Sequence, residues 1–183
     1  MKNKGKVFEE DFKKSVPSYC FCHRLKDTAQ SYNNSKKTKF TWNNPCDFFV
    51  FNSLSHLFYA IELKSTKYKS MTYATSKEED EGKNKKMVKF HQLESLRKLA
   101  EYDGIYAGLL LNFRDEESGY ERTYYISIER FDAMCKRINK GSFNEIDLIN
   151  NYALKVNGQM KRVHYRWDIG DMLSDIPAVD INR

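Results

Sequence analysis

The spacing of hydrophobic residues changes along the chain between a helical period and strand-like runs, and this alternation predicts the secondary structure. Apolar residues at helical spacing predict helices over residues 5–15 and 87–102, and the second helix ends before Gly104. Runs of aromatic and aliphatic residues predict strands over residues 19–25, 47–51, 57–65, 105–113 and 122–128. The order helix, three strands, helix, two strands predicts an α/β domain with a mixed central sheet flanked by helices.

Two long polar stretches interrupt these elements. Residues 26–44 lie between the first two strands and predict a loop or a protruding arm. Residues 66–86 are rich in Lys, Ser, Glu and Asp, with almost no aliphatic residues, and predict a mobile loop. No internal repeat and no proline- or glycine-rich linker divides the chain, which favours a single domain.

The C-terminal part of the chain predicts two further helices and a strand. Residues 129–139 and 144–153 have helical patterns, and residues 161–167 alternate apolar and polar positions as an edge strand does. We expect residues 1–143 to form the core and residues 144–183 to form a C-terminal extension packed on it. This extension has three candidate roles: it covers the core, pairs two subunits or contacts a partner.

The composition indicates a folded protein. Hydrophobic residues make up 40% of the 183 residues, which is enough to bury a core and excludes wholesale disorder. The formal net charge of +6 favours a polyanionic partner, although solubility alone accounts for the same figure. No apolar run approaches the length of a membrane span and no apolar stretch follows Met1, so we expect a cytoplasmic protein without membrane contact.

Cysteine usage adds one alternative site. With no secretory signal, we expect reduced thiols rather than disulfides. Cys20, Cys22, His23 and Cys46 are a candidate zinc set, but their spacing matches no common structural zinc pattern. Small apolar residues in strands are the favoured interpretation of these cysteines.

The candidate chemistry lies on a predicted hairpin formed by residues 47–51 and 57–65. Glu62 and Lys64 are two positions apart on the second strand, so both side chains leave the same face. An acid and a lysine among apolar neighbours, near Asp47 at the start of the partner strand, favour a hard-cation site. A surface ion pair on an exposed sheet is the alternative interpretation.

The order of these residues resembles the PD-(D/E)xK nuclease superfamily. Asp47 precedes Glu62-Leu63-Lys64 on a hairpin, and an N-terminal helix that carries acid precedes both. Pro45 lies two residues before Asp47 rather than next to it. The tripeptide alone occurs often by chance, and the combination is the more specific signal.

Three further segments resemble Holliday-junction resolvases. Residues 5–9 are similar to the Gly-x-x-x-Glu opening of these enzymes. Phe90-His91-Gln92 resembles the glutamine motifs of the bacterial RecU family, and residues 104–108 are similar to a strand start in that family and its phage relatives. The resemblance runs from about Gly5 to Arg137. RecU proteins usually carry Thr-Asp-Tyr and Glu-Ala-Lys where this chain has Cys-Asp-Phe and Glu-Leu-Lys, and residues 26–44 are shorter than the RecU stalk.

The resemblance implies a restriction-endonuclease-like core and a divalent-metal-dependent DNA endonuclease. A RecU-like enzyme resolves four-way junctions in recombination and repair, and it acts as a homodimer because two active sites cut opposing strands. Two alternatives stay open. One is a superfamily nuclease with another DNA substrate, such as a restriction-like or flap-processing enzyme. The other is a non-catalytic, structure-specific DNA-binding protein.

Phosphodiester hydrolysis assigns a role to each candidate residue. Asp47 and Glu62 are the expected direct ligands of Mg²⁺ or Mn²⁺, and the Leu63 backbone carbonyl completes the set. Glu9 is expected to reach the ion from the first helix, directly or through water, and Glu10 is the competing helix acid.

Two further residues complete the expected active site. Lys64 orients or deprotonates the attacking water, or stabilises developing charge. Gln92 holds a water or the scissile phosphate, and a polar position on the helix surface is its alternative. His91 is a candidate general base, but a surface or capping residue is the favoured interpretation, since the superfamily needs no histidine.

Basic residues are candidate contacts for the DNA backbone. Arg24 and Lys26 follow the first strand, and Lys89 belongs to a basic cluster at the entry to the glutamine helix. The polar stretch between the first two strands adds a basic group interleaved with aromatic residues, which fits an arm with stacking platforms: Lys36, Lys37, Lys39, Phe40 and Trp42. A solvated loop is the alternative for that stretch.

Overall fold

The computed structural model describes residues 3–25, 44–81 and 85–180. The helices are α1 Lys4–Ser15, α2 Lys77–Glu81, α3 Phe90–Ala100, α4 Ile128–Ile138, α5 Glu145–Ile149 and α6 Ile169–Asp180. The strands are β1 Cys20–Arg24, β2 Phe48–Asn52, β3 Leu57–Thr66, β4 Ser70–Thr72, β5 Ile105–Arg114, β6 Glu121–Ser127, β7 Ser142–Asn144, β8 Leu154–Val156, β9 Gly158–Lys161 and β10 His164–Trp167.

A central sheet organises the described part of the chain. Its six strands lie in the order β1-β2-β3-β5-β6-β8. Strands β3 and β5 are parallel, and the other neighbouring pairs are antiparallel. A parallel pair needs a crossover connection, and α3 lies in the connection between β3 and β5. The predicted α/β fold with a mixed central sheet flanked by helices is confirmed.

The two faces of the sheet are covered by different elements. Ala60 of β3 packs in one hydrophobic cluster with Leu93 and Leu96 of α3. Ile61, the next residue, packs in the opposite cluster with Phe8 and Phe12 of α1. Because successive strand residues alternate between faces, Glu62 lies on the α3 face and Leu63 on the α1 face.

The mobile loop predicted over residues 66–86 is wrong for part of that range. Residues 70–72 form β4, which pairs with β7, and residues 77–81 form α2. Met71 and Tyr73 are buried, and the Tyr73 ring packs against Phe131 and Phe143. The strand was missed because the segment is polar on average, although two alternating residues, Met71 and Tyr73, are buried there.

The C-terminal extension contributes to the core rather than only covering it. Strand β8 extends the central sheet at β6, and residues 161–167 supply β10, which pairs with β9 in a separate two-stranded sheet. The carboxylate of Asp11, a buried residue of α1, holds this hairpin: Oδ1 lies 2.7 Å from His164 Nδ1, and Oδ2 accepts the Tyr165 N–H at 3.0 Å. The helix predicted over residues 144–153 is confined to α5.

Within the described residues, no helix combines the length and apolar character that crossing a membrane requires.

Candidate active site

Asp47 and β3 meet where the β2–β3 ladder ends. The pairing reaches Phe48 opposite Ile61, and one further step in the same register places Asp47 beside Glu62. Asp47 Oδ2 accepts the backbone N–H of Leu63 at 2.7 Å, and the Asp47 carbonyl accepts the Leu25 N–H at 2.9 Å. The carboxylate therefore takes the hydrogen bond that a longer β2 would otherwise provide, and it is held against β3.

The Leu63 carbonyl faces the same region as the Asp47 carboxylate. In an extended strand, the N–H and C=O of one residue leave the strand on the same side. The Leu63 N–H points to Asp47, so the Leu63 carbonyl also points past the end of β2. Two oxygen donors, from Asp47 and Leu63, lie at this strand end.

Glu62 is a buried carboxylate that accepts hydrogen bonds from Lys64 and Gln92. Glu62 is only 2% exposed, and Lys64 Nζ lies 2.7 Å from its Oε1. The Gln92 side-chain amide donates to the same oxygen. A buried charge is costly without such partners, and these two donors compensate it. The Glu62 and Lys64 side chains are 3% and 17% exposed, so the ammonium is the more accessible of the two groups.

Gln92 is positioned by the first turn of α3. Its Oε1 accepts the backbone N–H of Lys89 at 3.1 Å, which leaves its Nε2 to face Glu62. The side chain thus joins the N-terminus of α3 to the centre of β3. This contact favours the active-site interpretation of Gln92 over the helix-surface alternative.

The buried thiol of Cys46 lies next to both acids. Burial raises its pKa most, and the negative charges of Glu62 and Asp47 raise it further. The thiol donates to the Phe48 carbonyl at 3.3 Å. Cys46 is therefore a neutral neighbour of both carboxylates. Across the described ranges, no group of three His, Cys, Asp or Glu side chains is placed to hold a metal, which leaves the zinc alternative without support.

Glu9 is carried by α1, which packs on the opposite face of the sheet from Glu62. Its carboxylate forms an ion pair with Arg24 at the end of β1, and the next residue, Leu25, donates its N–H to the Asp47 carbonyl. Glu10 is exposed, whereas Glu9 is partly buried, so Glu9 is the better placed of the two helix acids. The structure brings Asp47, Glu62, Lys64 and Gln92 together, and it places Glu9 with Arg24.

The donor set at this site fits a hard divalent cation. Asp47, Glu62 and the Leu63 carbonyl offer only oxygen atoms, which Mg²⁺ and Mn²⁺ prefer. Magnesium is commonly held by one or two carboxylates together with water and substrate phosphate. Two acids and a carbonyl at a strand end are consistent with that pattern.

The remaining predicted residues lie apart from this cluster or outside the described residues. His91 faces Asp80, with Nδ1 3.5 Å from Oδ2, and its side chain is 42% exposed. Lys89 precedes α3 and is exposed. The candidate DNA contacts of the predicted arm lie outside the described residues: Lys26, Lys36, Lys37 and Lys39.

A polar network next to the site was not predicted. Ser65, the neighbour of Lys64, donates from Oγ to Asn112 Oδ1 at 2.7 Å and accepts the Arg114 Nε–H at 3.0 Å. Asn112 is fully buried and donates to Thr123 Oγ1 at 3.0 Å. The network fixes the end of β3 against β5 and β6. Its signal in the sequence is an asparagine inside an otherwise apolar strand.

No protein-family model matches the chain, but the chain is similar to a curated protein and to a solved structure. The SPbeta prophage-derived uncharacterized protein YotM of Bacillus subtilis (strain 168) is 26% identical over 193 residues, which cover 99% of this chain and 90% of that protein. The structure of Hjc from Archaeoglobus fulgidus, described as a Holliday junction resolvase from an archaeal hyperthermophile, is similar with a TM-score of 0.45 and 16% identity. That match covers 83% of this chain and 92% of the Hjc chain.

Proposed function

We propose that this chain is a divalent-metal-dependent DNA endonuclease of RecU-like type that hydrolyses phosphodiester bonds in branched DNA. Four-way junctions are its proposed substrate, and a homodimer is the proposed active form. One observation carries the nuclease proposal: Asp47, Lys64 and Gln92 come from separate parts of the chain or strand and all contact the Glu62-Leu63 segment of β3, Asp47 at the Leu63 N–H and the other two at the Glu62 carboxylate.

Asp47, Glu62 and the Leu63 carbonyl are the proposed ligands of Mg²⁺ or Mn²⁺. When bound there, the ion would supply charge neutralisation at the phosphate and a more acidic water. The role predicted for Glu9 stays a prediction, since its carboxylate pairs with Arg24. Arg24 and Lys89 stay proposed contacts to DNA phosphates.

Lys64 is the proposed residue that handles the nucleophile. Its ammonium touches Glu62 and is the more exposed member of that pair, so it lies between the buried acid and the approaching phosphate. From that position its N–H groups hold a water in line or stabilise charge on the phosphoryl oxygens. A lysine two positions from a buried acid on one strand face is pre-positioned for this task.

Gln92 is the proposed positioning residue for Glu62. With its carbonyl engaged by the Lys89 N–H, its amide group is aimed at Glu62 Oε1 and restricts the carboxylate to one orientation. Holding a metal-binding carboxylate in one orientation fixes the geometry with which it binds the metal.

Cleavage of a synthetic four-way junction with and without Mg²⁺ or Mn²⁺ tests the proposal. Asp47→Asn and Glu62→Gln should abolish cleavage and leave junction binding in EDTA mostly intact. Glu94→Gln, which changes an exposed acid of α3, is the matched control and should cleave normally. Full activity of both active-site variants would refute the mechanism.

The same assay separates substrate classes. Junctions should be cut faster than flaps and linear duplex if the enzyme is a resolvase. Equal rates on all three substrates would reject junction specificity while leaving the nuclease intact. Salt-dependent junction binding without any metal-dependent cleavage would favour the non-catalytic alternative.

A further inference from the structure

A groove of about 550 Å³ lies beyond the end of the strand that carries Glu62 and Lys64. One wall is the segment that follows β3, with Lys67, Tyr68 and Lys69, and the other is the β5–β6 hairpin, with Arg114 and Arg122. No residue of this groove belongs to the candidate active site or to the predicted DNA contacts. It is nevertheless continuous in sequence with β3.

Positive charge on the β3 wall is available to a ligand. Arg114 pairs with Glu116 at 2.9 Å and Arg122 pairs with Glu145 at 2.7 Å, so both guanidinium groups have partners. Lys67 and Lys69 are exposed, and neither forms an ion pair with another described residue.

Two of the three acidic residues on the hairpin wall are engaged in its turn. Glu116 is held by Arg114, and Asp115 Oδ1 accepts the backbone N–H groups of Glu117 and Ser118 at 3.1 and 3.3 Å. The third, Glu117, is exposed. Four basic side chains against three acidic ones leave the groove lining with a net positive charge, which favours an anionic ligand.

An aromatic ring lies between the two lysines. Tyr68 is 65% exposed, and Lys67 Nζ lies 5.8 Å from the centre of its ring. The buried hydroxyl of Thr66 accepts the Tyr68 N–H at 3.1 Å, which anchors the turn that presents the ring. An exposed aromatic ring flanked by cations is the arrangement that binds the backbone and stacks the bases of single-stranded nucleic acid.

The groove lies close enough to the candidate active site for one nucleic-acid strand to contact both. Lys67 follows Lys64 by three residues, which is about 10 Å along an extended strand. A strand with a phosphate at Lys64 therefore reaches the groove within a few nucleotides.

We propose that this groove binds the strand being cut, with Lys67 and Lys69 on its phosphates and Tyr68 stacked on a base a few nucleotides from the scissile bond. The distance to the scissile bond rests on the proposed nuclease function, whereas binding of a nucleic-acid strand by the groove does not. The ligand class is a phosphodiester strand with an unstacked base, as a branch point provides.

Binding measured in EDTA tests the groove without any need for cleavage. The probe is a fluorescein-labelled four-way junction titrated with the full-length protein at several salt concentrations. Lys67→Ala/Lys69→Ala should bind more weakly, and its plot of log affinity against log salt should be shallower by about 1.4 to 1.8, for two lost phosphate contacts. Lys98→Ala/Lys136→Ala removes the same charge from exposed positions on α3 and α4 and should keep the wild-type slope.

Stacking is tested by scanning 2-aminopurine along one strand of the junction. Wild type and Tyr68→Phe should quench the probe at one position, and Tyr68→Leu should lose that quenching while its thermal unfolding is unchanged. Equal effects of the two lysine pairs, an unchanged slope, or quenching that survives in Tyr68→Leu would overturn the proposal. Competition by polyglutamate as effective as by DNA would also overturn it. If the Lys67→Ala/Lys69→Ala variant binds more weakly but the wild-type protein cleaves no DNA, the groove proposal stands and the nuclease proposal is rejected.

Discussion

Replacing Lys64 with methionine should both destabilise the protein and abolish the proposed DNA cleavage. Methionine keeps the length and apolar stem of lysine but removes the ammonium that lies 2.7 Å from Glu62 Oε1. Glu62 then remains as a carboxylate with 2% exposure that has lost its ion-pair partner and keeps the hydrogen bond from the Gln92 amide. The variant therefore isolates the electrostatic contribution of one group.

The structure sets the size of the effect. Removing one partner of a buried ion pair costs about 3–5 kcal/mol, because the other charge is left buried. The hydrogen bond from Gln92 persists, and the Lys64 side chain is 17% exposed, so water can replace part of the lost interaction. We expect the free energy of unfolding to fall by about 2–3 kcal/mol at neutral pH without metal.

Urea denaturation in EDTA measures this loss, with Glu62→Gln and the double variant completing a double-mutant cycle. At an m value of about 2 kcal/mol/M, the midpoint should fall by about 1 M in Lys64→Met. In the Glu62→Gln background the same change should cost under about 1 kcal/mol, since no buried charge is left without its partner. Lys98→Met, on the exposed surface of α3, is the control and should change the midpoint little.

Two results would refute the reasoning. An unchanged midpoint in Lys64→Met would mean that the Glu62–Lys64 contact contributes nothing to the folded state. An equal loss in the presence and absence of the Glu62 charge would mean that methionine disturbs packing rather than electrostatics.

Three further predictions concern the elements around the site. Burial raises the pKa of the Glu121 carboxyl, so the folded state binds this proton more readily than the unfolded state, and stability is lost as pH rises through that pKa. Glu121→Gln should therefore raise the urea midpoint at neutral pH, and this gain should disappear below about pH 4. Asn112→Ala leaves the Ser65 hydroxyl without its buried acceptor and should lower the free energy of unfolding by about 2–3 kcal/mol, whereas a loss below about 0.5 kcal/mol would contradict the network. Gly108→Ala should cost about 1–3 kcal/mol by thermal unfolding, because a Cβ there would lie 2.5 Å from the Ile126 backbone carbonyl oxygen, and an unchanged melting temperature would contradict this.

The main elements of the fold follow from local patterns. Predictions of α1, α3 and β5 agree with the structure within a few residues, since each has a long and clear period. Strand β4 was missed because three residues are too few to show a period, and its burial depends on pairing with β7. Strand β8 was missed for the same reason, and pairing with β6 places it in the central sheet.

The candidate site divides in a similar way. Glu62 and Lys64 were predicted on one strand face, and their contact at 2.7 Å is what a spacing of two allows. Glu9 was expected near them because helix α1 carries the acid, and this stays a prediction: that helix packs on the opposite face of the sheet, and the Glu9 carboxylate pairs with Arg24. Helical spacing shows which side of a helix is apolar, but it does not show which face of the sheet that side will cover.

The amino-acid sequence by itself determined the order of the main elements, the hairpin and the placement of Glu62 with Lys64, because these depend on contacts within a few residues. Only the tertiary structure decided that Asp47 caps the Leu63 N–H and that Gln92 reaches Glu62 across 30 positions. The physical reason is that such meetings depend on strand register and on the crossover through α3, which arise from packing of the whole sheet. The groove at Lys67 and Tyr68 likewise depends on the tertiary structure, since its second wall comes from the β5–β6 hairpin.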